Sequence, residues 1–137
     1  MNIIKQSVSV SFSMLPRAKQ NRNTNNKFFH FAFAYKKNNL LAIGQNNPNK
    51  THTSAYRIAK KFKINERYPY LHAETDLISR LWGKYYIDSS LKIVVVRLNK
   101  NGDLRNSKPC SKCQKILNAL DIKQVYWSTE NGFKSYQ

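Results

Sequence analysis

The spacing of apolar and polar positions changes several times along the chain, and each change predicts an element. "KFFHFAFAY" (27–35) alternates as a strand does, "KKNN" makes a turn, and "LLAIGQN" (40–46) reads as the second strand of a hairpin. The polar "NPNKTHT" (47–53) reads as a loop, and "SAYRIAKKFKI" (54–64) has helical spacing with a basic outer face, broken by Pro69. In "YPYLHAETDLISRLWGKYY" (68–86), Ala73, Leu77, Ile78, Leu81, Trp82 and Tyr85 share one face of a helix. "LKIVVVRL" (91–98) is an unbroken apolar run, as expected of a central strand covered on both faces. "NKNGDLRNSK" (99–108) is a loop, after which Pro109 takes the first-turn position that proline favours and opens a helix over "PCSKCQKILNALD" (109–121). "KQVYWST" and "FKSY" flank Asn131-Gly132, a two-residue hairpin signal. Residues 1–26 are basic and weakly patterned, with a faint helical signal ending in "MLPRAKQNRN". The order is helix, two strands, one or two helices, strand, helix and terminal hairpin, which predicts an α/β fold with a mixed sheet in one domain over 1–137.

With 137 residues the chain is long enough for one genuine core. "IIKQSVSVSFSML" is too interrupted for a membrane span or the apolar part of a secretory signal, so the expectation is a soluble, intracellular, cytoplasmic protein without a membrane partner. The acid-poor N-terminus has some character of an organelle transit peptide, but the same bias runs far into the patterned region. Charge changes the picture more: 24 Lys and Arg face 7 Asp and Glu, a net +17, and no acidic residue precedes Glu66. Twelve basic side chains thus fall in residues 1–65 without an acidic counterpart. A field of that sign suits a polyanion, most simply nucleic acid, and Lys60, Lys61 and Lys63 on the basic helix are its candidate phosphate contacts.

The apolar face over 68–86 contains one charge, Glu74. A carboxylate directed at a core is costly unless something pairs with it or uses it, although in a first helical turn it can also cap the helix. His72 stands two residues before it, and downstream Cys110 and Cys113, the only cysteines, lie one turn apart at a helix start. C-x-x-C serves redox chemistry, a disulfide or a metal, and an intracellular setting disfavours the disulfide. A closed structural zinc site needs four ligands, and only His30 and His52 are left as remote candidates for a fourth. His72, Cys110 and Cys113 with an open position describe a catalytic zinc, whose water Glu74 could reach without touching the metal.

His72-Ala73-Glu74 followed by Pro109-Cys110-Ser111-Lys112-Cys113 resembles the H-x-E…P-C-x-x-C signature of the zinc-dependent cytidine/deoxycytidylate deaminase superfamily. The 36 positions from Glu74 to Cys110 leave room for the rest of a helix and a central strand, and "LAIGQN" is similar to the family's G-x-N. The resemblance covers roughly 28–129. It implies a three-layer fold, with a five-stranded mixed sheet carrying helices on both faces, and zinc held by His72, Cys110 and Cys113 with Glu74 as the catalytic proton carrier. It also places Asn46 on the nucleotide sugar and Ala73 beside the substrate. Tyr126 and Trp127 close the strand after the cysteine helix, where related polynucleotide deaminases bracket the target base; alternation lets one of them face the pocket, and Trp127 is the expected one. His72 in place of cysteine departs from the free-cytidine branch, and "SKPCSKCQKI" departs from bacterial tRNA adenosine deaminases. The leading expectation is deamination of cytosine in single-stranded DNA or RNA. A dCMP or other free-nucleotide deaminase, an RNA adenosine deaminase and a non-catalytic zinc-containing nucleic-acid-binding module are the alternatives, and Glu74 has no use in the last.

Overall fold

The computed structural model describes residues 2–20, 28–51, 57, 60–62 and 70–136. The chain order is α1 (Ile3–Gln20), β1 (Phe28–Lys36), β2 (Asn39–Gln45), β3 (Asn47–Thr51), β4 (Tyr70–Leu71), α2 (Ala73–Leu81), β5 (Leu91–Asn99), β6 (Leu104–Arg105), α3 (Ser111–Ala119), β7 (Gln124–Thr129) and β8 (Gly132–Ser135). The main sheet runs β2-β1-β5-β7-β8 with β6 on β5; β5 and β7 are parallel and the other pairs antiparallel. β3 and β4 form a separate two-stranded sheet. This is the mixed α/β sheet that the pattern predicts.

Alternation along β1 and β5 divides the core in two. Ala32, Ala34, Leu91, Ile93 and Val95 face a cluster with Leu77, Ile78 and Leu81 of α2 and Ile116 and Leu117 of α3. Phe29, Phe31, Phe33, Tyr35, Val94, Val96 and Leu98 face the opposite cluster, which α1 closes with Leu15 and Ala18. Helices therefore cover both faces, and β5 is apolar and buried over residues 93–96 because neither of its faces meets water there. α1 was faint in sequence because its buried side is built from serine: Ser7 and Ser11 donate to the carbonyls of Ile3 and Ser7, and the Ser7 hydroxyl bonds Tyr35 Oη at 2.8 Å.

Several boundaries differ from expectation. α2 stops at Leu81, because Gly83 takes φ +80° and the Lys84 and Tyr85 N–H groups donate to the Leu81 carbonyl. Trp82 and Tyr85, expected on the core face, are instead 45% and 43% exposed. "NPNKT" is a strand, since its backbone finds a partner at Tyr70–Leu71, and the 99–108 loop contains β6. α3 begins at Ser111, so Pro109 precedes the N-cap residue Cys110 rather than opening the first turn. The terminal hairpin turns on Glu130-Asn131, with Gly132 (φ +135°) paired to Thr129. Most of the helix expected over 54–64, including Lys63, lies outside the described residues, whereas Arg57, Lys60 and Lys61 are helical and exposed.

α2 lies directly on β2 at Gly44, where an added Cβ would stand 2.2 Å from the Ala73 carbonyl oxygen and 2.5 Å from the Leu77 nitrogen. Backbone cannot yield as a side chain can. Gly44→Ala is therefore expected to destabilise the fold by about 1–3 kcal/mol through overpacking and to displace the start of α2. Denaturant unfolding checks the first effect, and NMR shifts of the Ala73 and Glu74 amides check the second.

Candidate metal centre

Two helix starts meet over one end of the sheet. β5 and β7 run side by side from Lys92–Gln124 to Val95–Trp127, and beyond that point β6 pairs with β5 at Arg97 and Leu98. The chain leaving β6 fills the gap between the two parallel strands. Ser107 Oγ donates to the Val95 carbonyl at 2.8 Å, accepts the Ser128 N–H at 2.8 Å and bonds Ser128 Oγ at 2.8 Å, while the Ser107 N–H donates to the Ser128 carbonyl. Ser128 Oγ in turn bonds the Arg105 carbonyl and the Arg97 N–H. Both serines are fully or almost fully buried. This tie leads through Pro109 to Cys110, the N-cap residue of α3, with Cys113 in the first turn.

On the other side His72 is the N-cap residue of α2. Asp76, one turn into that helix and buried, accepts the Gln45 N–H at 2.9 Å and Arg80 Nε at 3.0 Å, which ties the helix to the end of β2. The result is a cluster in which a His72 ring nitrogen, Cys110 Sγ and Cys113 Sγ all lie within 4.8 Å of one another. His72 Nδ1 is 3.8 Å from Cys110 Sγ and 3.5 Å from Cys113 Sγ, and both thiols are free. One imidazole nitrogen and two sulfurs at helix N-termini are donors suited to zinc, with thiolates favoured by the helix dipoles. Among the described residues no fourth His, Cys, Asp or Glu completes the group. His30 lies outside it, on β1, and His52 is outside the described residues.

Glu74 is 6% exposed beside this cluster. Burial pushes its carboxyl pKa up, against the opposing pull of the backbone, His72 and a hydrogen bond with Cys113. Cys110 is pushed down to about 3, first by its hydrogen bond with Cys113 and then by His72, and Cys113 is driven up because its proton is held between the two sulfurs and because it is buried.

Of the residues singled out in sequence, His72, Ala73, Glu74, Cys110 and Cys113 come together here. Trp127 points to the same face of the sheet, and Tyr126 to the other. Trp127 packs against Tyr136 with ring centroids 4.6 Å apart and lines a cavity of about 390 Å³ with Asn106, Lys108 and Lys134 among its walls. Asn46 lies at the end of β2, its side-chain oxygen taking the His30 N–H at 3.0 Å. Lys60 and Lys61 are not part of the cluster; Lys61 Nζ instead sits 4.8 Å from the Trp82 ring centroid. Sequence reasoning missed Asp76, which the expectation of a single charge on the apolar face excluded, and Tyr136. The Tyr136 hydroxyl is buried without a hydrogen-bond partner, and burial and the charges of Glu74, Cys113 and Cys110 raise its pKa. Lys108, a plain loop lysine in sequence, has Nζ 5.7 Å from the Trp127 centroid and 6.0 Å from that of Tyr136.

No protein-family model and no curated protein sequence matches the chain. Its fold is similar to that of a cytidine deaminase from Mycobacterium leprae, at a TM-score of 0.52 and 20% identity over 90% of this chain and 87% of that one. It is also similar to a dCMP deaminase from the cyanophage S-TIM5, at a TM-score of 0.51 and 20% identity over 89% and 82%. The chain has the cytidine deaminase-like α/β fold.

Ser107→Ala tests the tie that carries the cysteines. It leaves the buried Ser128 N–H and the Val95 carbonyl without their partner, which is expected to cost about 1–3 kcal/mol. Chemical denaturation should show the loss, and Ser107→Thr, which keeps the hydroxyl, should recover part of it.

Proposed function

We propose that the protein is a zinc-dependent hydrolytic deaminase of the cytidine/deoxycytidylate type, converting cytosine to uracil in single-stranded DNA or RNA. The observation that carries this is the convergence of His72, Cys110 and Cys113 within 4.8 Å at two helix starts, with a buried Glu74 beside them. The likeness in fold to a cytidine deaminase and a dCMP deaminase supports the reaction type.

In this reading His72, Cys110 and Cys113 hold the zinc, which supplies the Lewis acidity that makes water a competent nucleophile near neutral pH. Glu74 carries the protons. Its carboxylate relays both protons of the attacking water, the first to the ring nitrogen as the C4–O bond forms and the second, from the new C4 hydroxyl, to the exocyclic amine, so that the C4–N bond breaks and ammonia leaves. The same burial that makes Glu74 costly keeps bulk water from competing for that proton. Trp127 forms a wall for the base and Ala73 lines its other side. Asn46, whose carboxamide oxygen is engaged by His30, offers its NH₂ group to a sugar hydroxyl.

The choice of a polynucleotide rests on charge and on exposed aromatic surface. The net charge of +17, with no acid before Glu66, far exceeds what one nucleotide phosphate requires. Trp82, Tyr85 and Tyr86 are exposed, and Lys61 lies over the Trp82 ring, which offers aromatic surface and positive charge suited to stacking bases along a strand. Lys63 belongs to the same basic run in sequence. The second reading is a dCMP deaminase, favoured by the fold likeness to the cyanophage enzyme.

The test is incubation of the zinc-loaded protein with dCMP and with single-stranded oligomers of increasing length, with uracil and inosine quantified by mass spectrometry. Uracil is expected, with longer oligomers processed better than dCMP at low salt. Each phosphate neutralised should add about −0.7 to the slope of log K against log salt. Equal turnover of dCMP and oligomers selects the second reading, and inosine overturns the choice of base. Glu74→Gln should retain zinc and lower turnover by at least about 10²-fold, because an amide cannot carry the proton. Loss of zinc in that variant would make Glu74 a ligand instead.

A further inference from the structure

A row of basic side chains crosses the face of the sheet that carries the candidate centre. His30, Arg97 and Arg105 stand directly opposite one another on β1, β5 and β6. Opposed residues of antiparallel strands project to one face, and Arg97 shares its face with Val95, two residues earlier, so the row lies on the side that carries α2, α3 and the metal centre. Two arginines directly opposite are mutually repulsive. Among the described residues neither Arg97 nor Arg105 has a carboxylate within ion-pair distance.

Arg97 is nonetheless held in place. Its guanidinium carbon is 3.9 Å from the Phe28 ring centroid, and Nη1 donates to the Asn106 carbonyl at 3.2 Å. Nε is shut off from solvent with no partner. Asn106 also lines the Trp127 cavity, together with Lys108, Lys134 and Glu130, so the guanidinium is anchored to the wall of that cavity. Burial of the group disfavours its charge and pushes its pKa down. A positioned, partly desolvated guanidinium whose cross-strand partner is a second arginine meets the needs of an anion with several acceptor oxygens.

We propose that Arg97 and Arg105 form a phosphate subsite at the rim of the Trp127 cavity, for the phosphate attached to the nucleotide whose base is being deaminated. This rests on the deaminase reading. The phosphate can be the monoester of a free nucleotide or the diester of a strand, and both present the same oxygens to the arginines.

One arm of the test needs no turnover. Inorganic phosphate titrated into the zinc-loaded protein and followed by arginine Nε–H NMR should shift Arg97 and Arg105 saturably. Arg97→Gln should weaken that binding about tenfold or more, as expected for loss of a charge-assisted hydrogen bond. Lys5→Gln removes one charge from α1 on the opposite face and should leave binding unchanged. Arg97→Lys keeps the charge but not the fork, and should bind phosphate less well than the wild type while melting at the same temperature. In the second arm, Arg97→Gln should raise KM for dCMP and for an oligomer, and the substrate that loses more identifies the phosphate that the site serves. Equal weakening by Lys5→Gln and Arg97→Gln, or no shift of Arg97 on phosphate addition, overturns the subsite in favour of a diffuse positive field. Absence of turnover on every substrate, with the NMR response intact, would refute the deaminase reading and leave a phosphate site.

Discussion

The structure depends on two helices beginning at the same point above the sheet. A histidine and two cysteines far apart in sequence are of use to one metal ion only if the starts of α2 and α3 are held within a few ångströms, and neither start can be fixed by its own helix. Gly44 solves the first problem by letting the backbone of α2 rest on β2 where any side chain would collide with the Ala73 carbonyl. Asp76 adds a buried tie from α2 to Gln45. The second problem is solved at the split between β5 and β7, where Ser107 and Ser128 share hydroxyl hydrogen bonds that close the sheet and aim the chain at Cys110. Both solutions use buried polar contacts or missing side chains rather than hydrophobic area, which packs helices firmly but does not fix their ends.

From that arrangement the electrostatics follow. Hydrogen bonds from Cys113 and His72 hold the Cys110 thiol pKa down to about 3, Cys113 is pushed up by that same hydrogen bond and by burial, and burial pushes the Glu74 carboxyl up. The same face of the sheet carries Arg97 and Arg105 opposite one another, with no carboxylate in ion-pair distance among the described residues.

Much of this was legible in the sequence. The alternation in "KFFHFAFAY" and the unbroken run of "LKIVVVRL" gave β1 and β5 because their faces are committed to two cores, and the H-A-E and P-C-x-x-C segments gave the donor cluster because short-range spacing fixes which side chains share a helix turn. Less was legible where the signal is carried by partners distant in sequence. α1 buries serines, so it has little apolar periodicity. β3 exists through its pairing with Tyr70–Leu71, and β6 through its pairing with β5. The end of α2 was available from Gly83, but apolar spacing at Trp82 and Tyr85 pointed past it. Tyr136 and the Arg97–Arg105 pair become visible only once strand register is known, since nothing in the spacing of 97 and 105 says that they are opposed.

The central claim is that His72, Cys110 and Cys113 together hold one zinc ion. The most direct measurement is elemental analysis of the purified protein combined with zinc-edge X-ray absorption. The account predicts one zinc per chain with two sulfur neighbours at about 2.3 Å and nitrogen or oxygen in the remaining positions. Metal-free protein that does not take up zinc, a Cys110–Cys113 disulfide, or a zinc shell without sulfur would contradict it.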